Sequence, residues 1–165
     1  MKAAATGVQD RLSEAAIELR IVMTDGVGSL RADGRRVRQV LFNLLSNAIN
    51  YSEAGQTVTL AAMRRGAEIV FKVSDRGRGI PPEMIDRVFG RFETFHNGSR
   101  HRGPGLGLSI VRAMVELHHG RVLIDTAPNE GTTVTCIFPV DSSANAAGNP
   151  QREAAPRRRS AHERA

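Results

Sequence analysis

The residues of this 165-residue chain with the clearest capacity for chemistry are three asparagines in one amphipathic run, QVLFNLLSNAINYS. Asn43, Asn47 and Asn50 recur at i, i+4 and i+7, so at about 100° per residue they share one helical stripe. Val37, Val40, Leu41, Phe42, Leu44, Leu45, Ala48 and Ile49 cover well over half of the circumference, and Arg36, Gln39 and Ser46 complete the narrow polar arc. Asparagine is a poor helix former, and a merely solvated stripe more usually carries Glu, Lys or Arg. Two readings fit the stripe. The asparagines are hydrogen-bonded at a helix–sheet seam, or they offer amide oxygens to a hard cation such as Mg²⁺.

Two glycine-rich stretches follow. Asp75–Ile80 reads DRGRGI directly after an apolar run. An ionised carboxylate at a strand end only accepts hydrogen bonds, which suits the exocyclic amine of an adenine. Gly77 and Gly79 permit positive φ and the approach of a flat ring to the backbone. D-x-G-x-G alone is also common in surface turns. Gly103–Leu108 reads GPGLGL and opens a second helical run, where backbone amides at a helix N-terminus favour phosphates. No Gly-Lys-Ser/Thr follows, so this is not a Walker loop, and no strand leads into it as a dinucleotide fingerprint requires. Gly131-Thr132-Thr133 opens the last strand and by itself reads as a turn.

The elements that must position these residues alternate along the chain. Ile17, Leu19, Ile21 and Met23 recur at every second residue and predict a half-buried strand. Asp33 is placed to cap a helix running to about Tyr51. Strands are predicted over 57–63 and 69–74, a short helix near 82–89, a polar loop over about 93–103, a helix over 106–118, and strands over 122–126 and 132–138. The expected fold class is α+β, a two-layer sandwich in which helices cover one face of a mixed sheet. Residues 1–15 read as the end of an upstream helical region, 16–140 as one catalytic domain, and 141–165 as a disordered tail. That tail contains no Ile, Leu, Val or Phe, too little apolar surface to offset the entropy of ordering it.

Composition excludes several function classes. A 41% hydrophobic and 24% charged sequence is ordinary for a globular domain. No apolar run is long enough to span a bilayer, and the residues after Lys2 lack the apolar segment of a signal peptide. The expectation is therefore a cytoplasmic module. One cysteine, Cys136, leaves no disulfide framework within the chain. The net charge of +6 is arginine scattered along the sequence, and 4% aromatics without tryptophan offer no stacking platform for nucleic acid.

In this order and spacing, NLLSN, DRGRGI, Phe89 with Phe92, GPGLGL and GTT resemble the ATP-binding catalytic domain of bacterial sensor histidine kinases. That family shares the Bergerat (GHKL) fold with type II topoisomerases, Hsp90 chaperones and MutL repair proteins. The resemblance covers about residues 16–140. It implies that Asn47 binds Mg²⁺, that Asn43 lies beside the phosphates of ATP, and that Tyr51 packs near the nucleotide. It implies that Asp75 holds the adenine amine in a pocket shaped by Gly77 and Gly79, with Ile80 closing that motif. Gly103, Gly105 and Gly107 would flank the phosphates with Leu106 and Leu108 beneath, Thr133 would help position a water at the adenine, and residues 93–102 would form a lid. ATP-hydrolysing relatives typically carry a glutamate base where Asn43 stands. Asn43 takes up no proton near neutral pH, so hydrolysis should be slow and transfer to a histidine favoured.

The sequence also departs from the pattern. Asn50, still counted in the nucleotide-binding set, stands where relatives often carry lysine or arginine, and ETF follows Arg91-Phe92's phenylalanine where a tyrosine-arginine pair is common. Arg100, His101 and Arg102 are candidates to replace that charge. None of the five histidines, at 96, 101, 118, 119 and 162, sits in the helical context of a phosphoacceptor. The expected partners are a histidine-bearing dimerisation domain of the same kinase and a response regulator receiver domain, with the fragment monomeric and the full-length kinase dimeric. The competing expectation is a signalling pseudokinase that binds nucleotide with little turnover. A stand-alone anti-sigma serine kinase is a more distant third.

Overall fold

The computed structural model describes residues 1–90 and 106–140. Two short helices, α1 (Lys2–Thr6) and α2 (Gln9–Ala15), precede strand β1 (Glu18–Met23). The long helix α3 (Gly34–Tyr51) leads into the hairpin of β2 (Thr57–Arg65) and β3 (Glu68–Ser74). A 3-10 helix spans Pro82–Arg87, and helix α4 (Gly107–Glu116) precedes β4 (Arg121–Ala127) and β5 (Gly131–Pro139). The five strands order as β1-β2-β3-β5-β4. β1 runs parallel to β2, and every other pairing is antiparallel. This is the mixed sheet expected.

The helices lie on one face of that sheet. Val58, Leu60 and Ala62 of β2, Ile69, Phe71 and Val73 of β3, and Val134, Cys136 and Phe138 of β5 alternate inward. They meet Val40, Leu41, Leu44, Leu45, Ala48 and Ile49 of α3 and Val111 and Val115 of α4 in a single core. The Phe71 and Phe138 rings pack edge to face at 5.8 Å. Burial pushes the Cys136 thiol up to about 12, so it stays protonated and packs as a small hydrophobe.

Asp33 caps α3 as its position predicts: its carboxylate accepts from the backbone N–H groups of Arg35 and Arg36. These two bonds hold its carboxyl below the ordinary value. The stabilisation is present above the unfolded pKa and is lost as pH falls through the folded one.

Two expectations need correction. Ile17 is buried and Leu19 half-buried, but Ile21 and Met23 are exposed, at 43% and 61%. The helical layer reaches the start of this edge strand and not its end. Residues 1–15 also do more than end a helix, because Val8 and Leu12 are fully buried in the same core. No described helix is long and apolar enough to cross a membrane.

Candidate nucleotide site

The end of β3, the start of β5 and the end of α3 meet around Asp75. Val73 points into the core, and Asp75 follows on the same side two residues later. Its Oδ1 accepts from the backbone N–H of Gly77 at 2.9 Å and of Thr132 at 3.1 Å. These bonds fix the carboxylate and leave Oδ2 without a partner among the described residues, free to accept from an amine. Burial raises the Asp75 pKa above its ordinary value, opposed by the two backbone bonds.

The glycines around Asp75 are explained by backbone packing. A Cβ on Gly77 would fall well inside van der Waals contact of the Tyr51 carbonyl. Gly79, at φ +66°, would place one against the carbonyl of Ala127. The Cβ positions of Gly77 and Gly79 thus face the end of α3 and the end of β4. Ile80 is tied to the same turn by its N–H, which donates to Thr126 Oγ1 at 3.0 Å. The Arg78 guanidinium stacks on the Tyr51 ring, 4.9 Å from its centroid.

Thr133 is placed differently from its expected role. Its hydroxyl donates to Ser74 Oγ at 2.9 Å, on the sheet face opposite the helices. Thr132 faces Asp75 instead, with its backbone N–H on the carboxylate and its hydroxyl 3.1 Å from that of Thr126. The two residues alternate across the pleat, and the sequence GTT names both without choosing.

The asparagine stripe lies along α3 between neighbouring helices, and its members have different partners. Asn43 Oδ1 accepts from Gln39 Nε2 at 3.1 Å, while its Nδ2 is buried with no partner, an unsatisfied donor of a kind that is rare in folded proteins. Asn47 has no side-chain hydrogen bond among the described residues. Its amide lies against the start of α4, where a Cβ on Gly107 would sit 3.1 Å from its Oδ1. Asn50 meets α2, where its Oδ1 accepts from Arg11 Nη2 at 2.8 Å. Leu106 precedes α4 and accepts from the Ser109 hydroxyl, whereas Leu108 packs against the core. Phe89 lies under the Arg112 guanidinium, 5.5 Å from its centroid. Phe92, residues 93–102 including the Arg102 candidate, Gly103, Gly105 and the tail from 141 lie outside the described residues.

The donor set around Asn47 is consistent with a hard cation that takes one amide oxygen and completes its shell with phosphate oxygens and water. No cluster of His, Cys, Asp or Glu among the described residues forms an alternative metal site. Thr132, whose backbone N–H holds Asp75, and Arg11, which bonds Asn50, are contacts of the candidate residues that sequence reasoning missed.

Residues 32–142 match the family described as histidine kinase-, DNA gyrase B-, and HSP90-like ATPase. The chain is 41% identical over 123 residues to the sensor protein DivL of Caulobacter vibrioides, covering 74% of this chain and 16% of that protein. It is 38% identical over 131 residues to the circadian input-output histidine kinase CikA of Synechococcus elongatus, covering 78% and 17%. The chain therefore spans about a sixth of the length of these relatives. The full-length ShkA structure in complex with AMPPNP superposes with a TM-score of 0.73 at 28% identity, over 84% of this chain and 28% of that one. The matched segment contains the asparagine stripe, Asp75 and the start of α4, and the chain belongs to the histidine kinase-, DNA gyrase B- and HSP90-like ATPase family.

Proposed function

We propose that this chain is the ATP-binding catalytic module of a two-component sensor histidine kinase, working in the cytoplasm. It would pass the γ-phosphoryl group of ATP to a histidine on a separate dimerisation domain, for relay to a response regulator. The observation that carries the reading is Asp75, fixed by the Gly77 and Thr132 amides with Oδ2 open, on a turn packed against the end of the helix that bears Asn43 and Asn47.

In this reading Asp75 Oδ2 accepts from the adenine amine and selects ATP over bases that present a carbonyl there. The buried Asn43 Nδ2 donates to a phosphate oxygen, which satisfies the orphaned donor. Asn47, beside Gly107, is the residue that would hold Mg²⁺. That ion would neutralise charge on the phosphates. Asn43 accepts no proton, so this site has no general base for water at that position. The acceptor is then a neutral imidazole nitrogen of the partner domain: the N–P bond forms as the β–γ bridging P–O bond breaks, and ADP leaves with the electron pair.

The test combines the chain with a histidine-bearing dimerisation domain and γ-labelled ATP. Acid-labile, base-stable label on that domain is the expected result. Nucleotide binding with no transferred label on any such domain would favour the pseudokinase reading.

A further inference from the structure

Arg11 forms a fork on α3. Its Nη1 donates to Ser46 Oγ at 2.7 Å and its Nη2 to Asn50 Oδ1 at 2.8 Å, across one helical turn. Ser46 is buried and Arg11 half-buried. Among the described residues no carboxylate pairs with this guanidinium, so two neutral acceptors fix its direction and its charge is uncompensated. The geometry of α3 sets where that charge stands. Ser46 is three residues from Asn43, and Asn50 is three from Asn47, both separations that bring side chains together on a helix surface. The cation therefore stands three residues along α3 from Asn43, whose buried amide donor is orphaned, and from Asn47, whose amide has no hydrogen bond among the described residues.

A positive charge with unused donors beside an unsatisfied N–H calls for an anion with several acceptor oxygens. We infer that Arg11, from a helix that precedes the matched family segment, binds the phosphates of the nucleotide and supplies the cation that α3 lacks at Asn50. The inference rests on the nucleotide reading above. Because α2 contributes this ligand, movement of α2 away from α3 withdraws it, and nucleotide affinity is coupled to the position of the upstream helix.

The test compares MgATP and adenosine binding to the full chain, to Arg11→Gln and to Arg11→Gln with Asn50→Lys. Arg121→Gln, which removes an equal charge from the exposed pair with Glu68, is the control. Arg11→Gln is expected to weaken MgATP about tenfold and to flatten the salt dependence of binding. Adenosine affinity and the Arg121→Gln control stay unchanged, and Asn50→Lys restores MgATP binding in the double variant. MgATP affinity within twofold of wild type in Arg11→Gln would overturn the inference. So would a parallel loss of MgATP and adenosine, since that marks a structural role. If the unaltered chain binds neither ligand, the nucleotide reading itself fails and this inference falls with it.

Discussion

The imidazole of His118, just beyond α4, accepts a hydrogen bond from the backbone N–H of Asp33, the residue that caps α3. Its Nδ1 lies 2.7 Å from the Met114 carbonyl, so the neutral ring with the proton on Nδ1 satisfies both contacts. The same ring packs edge to face on Phe138 at 5.9 Å. One side chain thus ties the end of α4 to the start of α3, the two helices that meet again at Gly107 and Asn47.

Replacing His118 by alanine removes both hydrogen bonds and leaves a cavity beside Phe138. The expected cost is about 2–4 kcal/mol of folding stability, read by urea denaturation. Glutamine should recover part of this, since its amide can donate to one carbonyl and accept from one N–H. Unchanged stability in the alanine variant would refute the tie between the helices.

Gly107→Ala separates the site from the fold. An added methyl at the first turn of α4 improves helix propensity, so thermal stability should be unchanged or slightly raised. The methyl presses on Asn47, 3.1 Å from Oδ1 and 3.2 Å from Nδ2. We expect MgATP affinity to fall about tenfold with adenosine affinity preserved. Equal losses for both ligands would mean that Gly107 shapes the base pocket and not the cation site.

Asp75 should make binding and folding respond to pH with opposite signs. Its raised pKa arises chiefly from burial. Burial favours the protonated form more in the folded than in the unfolded chain, so this contribution to stability is complete below the unfolded pKa and is lost as pH rises through the folded value. Nucleotide needs the carboxylate, so affinity falls on acidification, with a midpoint above the ordinary aspartate value of 3.8. Calorimetric titration at several pH values between about 7 and about 4 reads the midpoint. Asp75→Asn should bind weakly at every pH and lack the transition.

Much of this arrangement was legible in the sequence because it is local. The 3.6-residue period and Asp33 predict α3 closely, and Asp75 after an apolar strand reads as an acceptor at a sheet end. What escaped is set by contacts between distant segments. The Arg11–Asn50 bond joins residues 39 apart and the His118–Asp33 bond residues 85 apart, and neither leaves a periodic trace. Thr132 and Thr133 are chemically identical, and only the phase of β5 decides which one meets Asp75. Gly77 carries no mark that its neighbour is the Tyr51 carbonyl.

The most direct test of the account is calorimetric titration of MgATP into this chain beside Asn47→Ala and Asp75→Asn. The account predicts one site of roughly micromolar to high-micromolar affinity in the unaltered chain. Asn47→Ala should lose the Mg²⁺-dependent part of binding, and Asp75→Asn should lose nearly all of it. No heat at millimolar nucleotide, or binding that both variants retain in full, would contradict it.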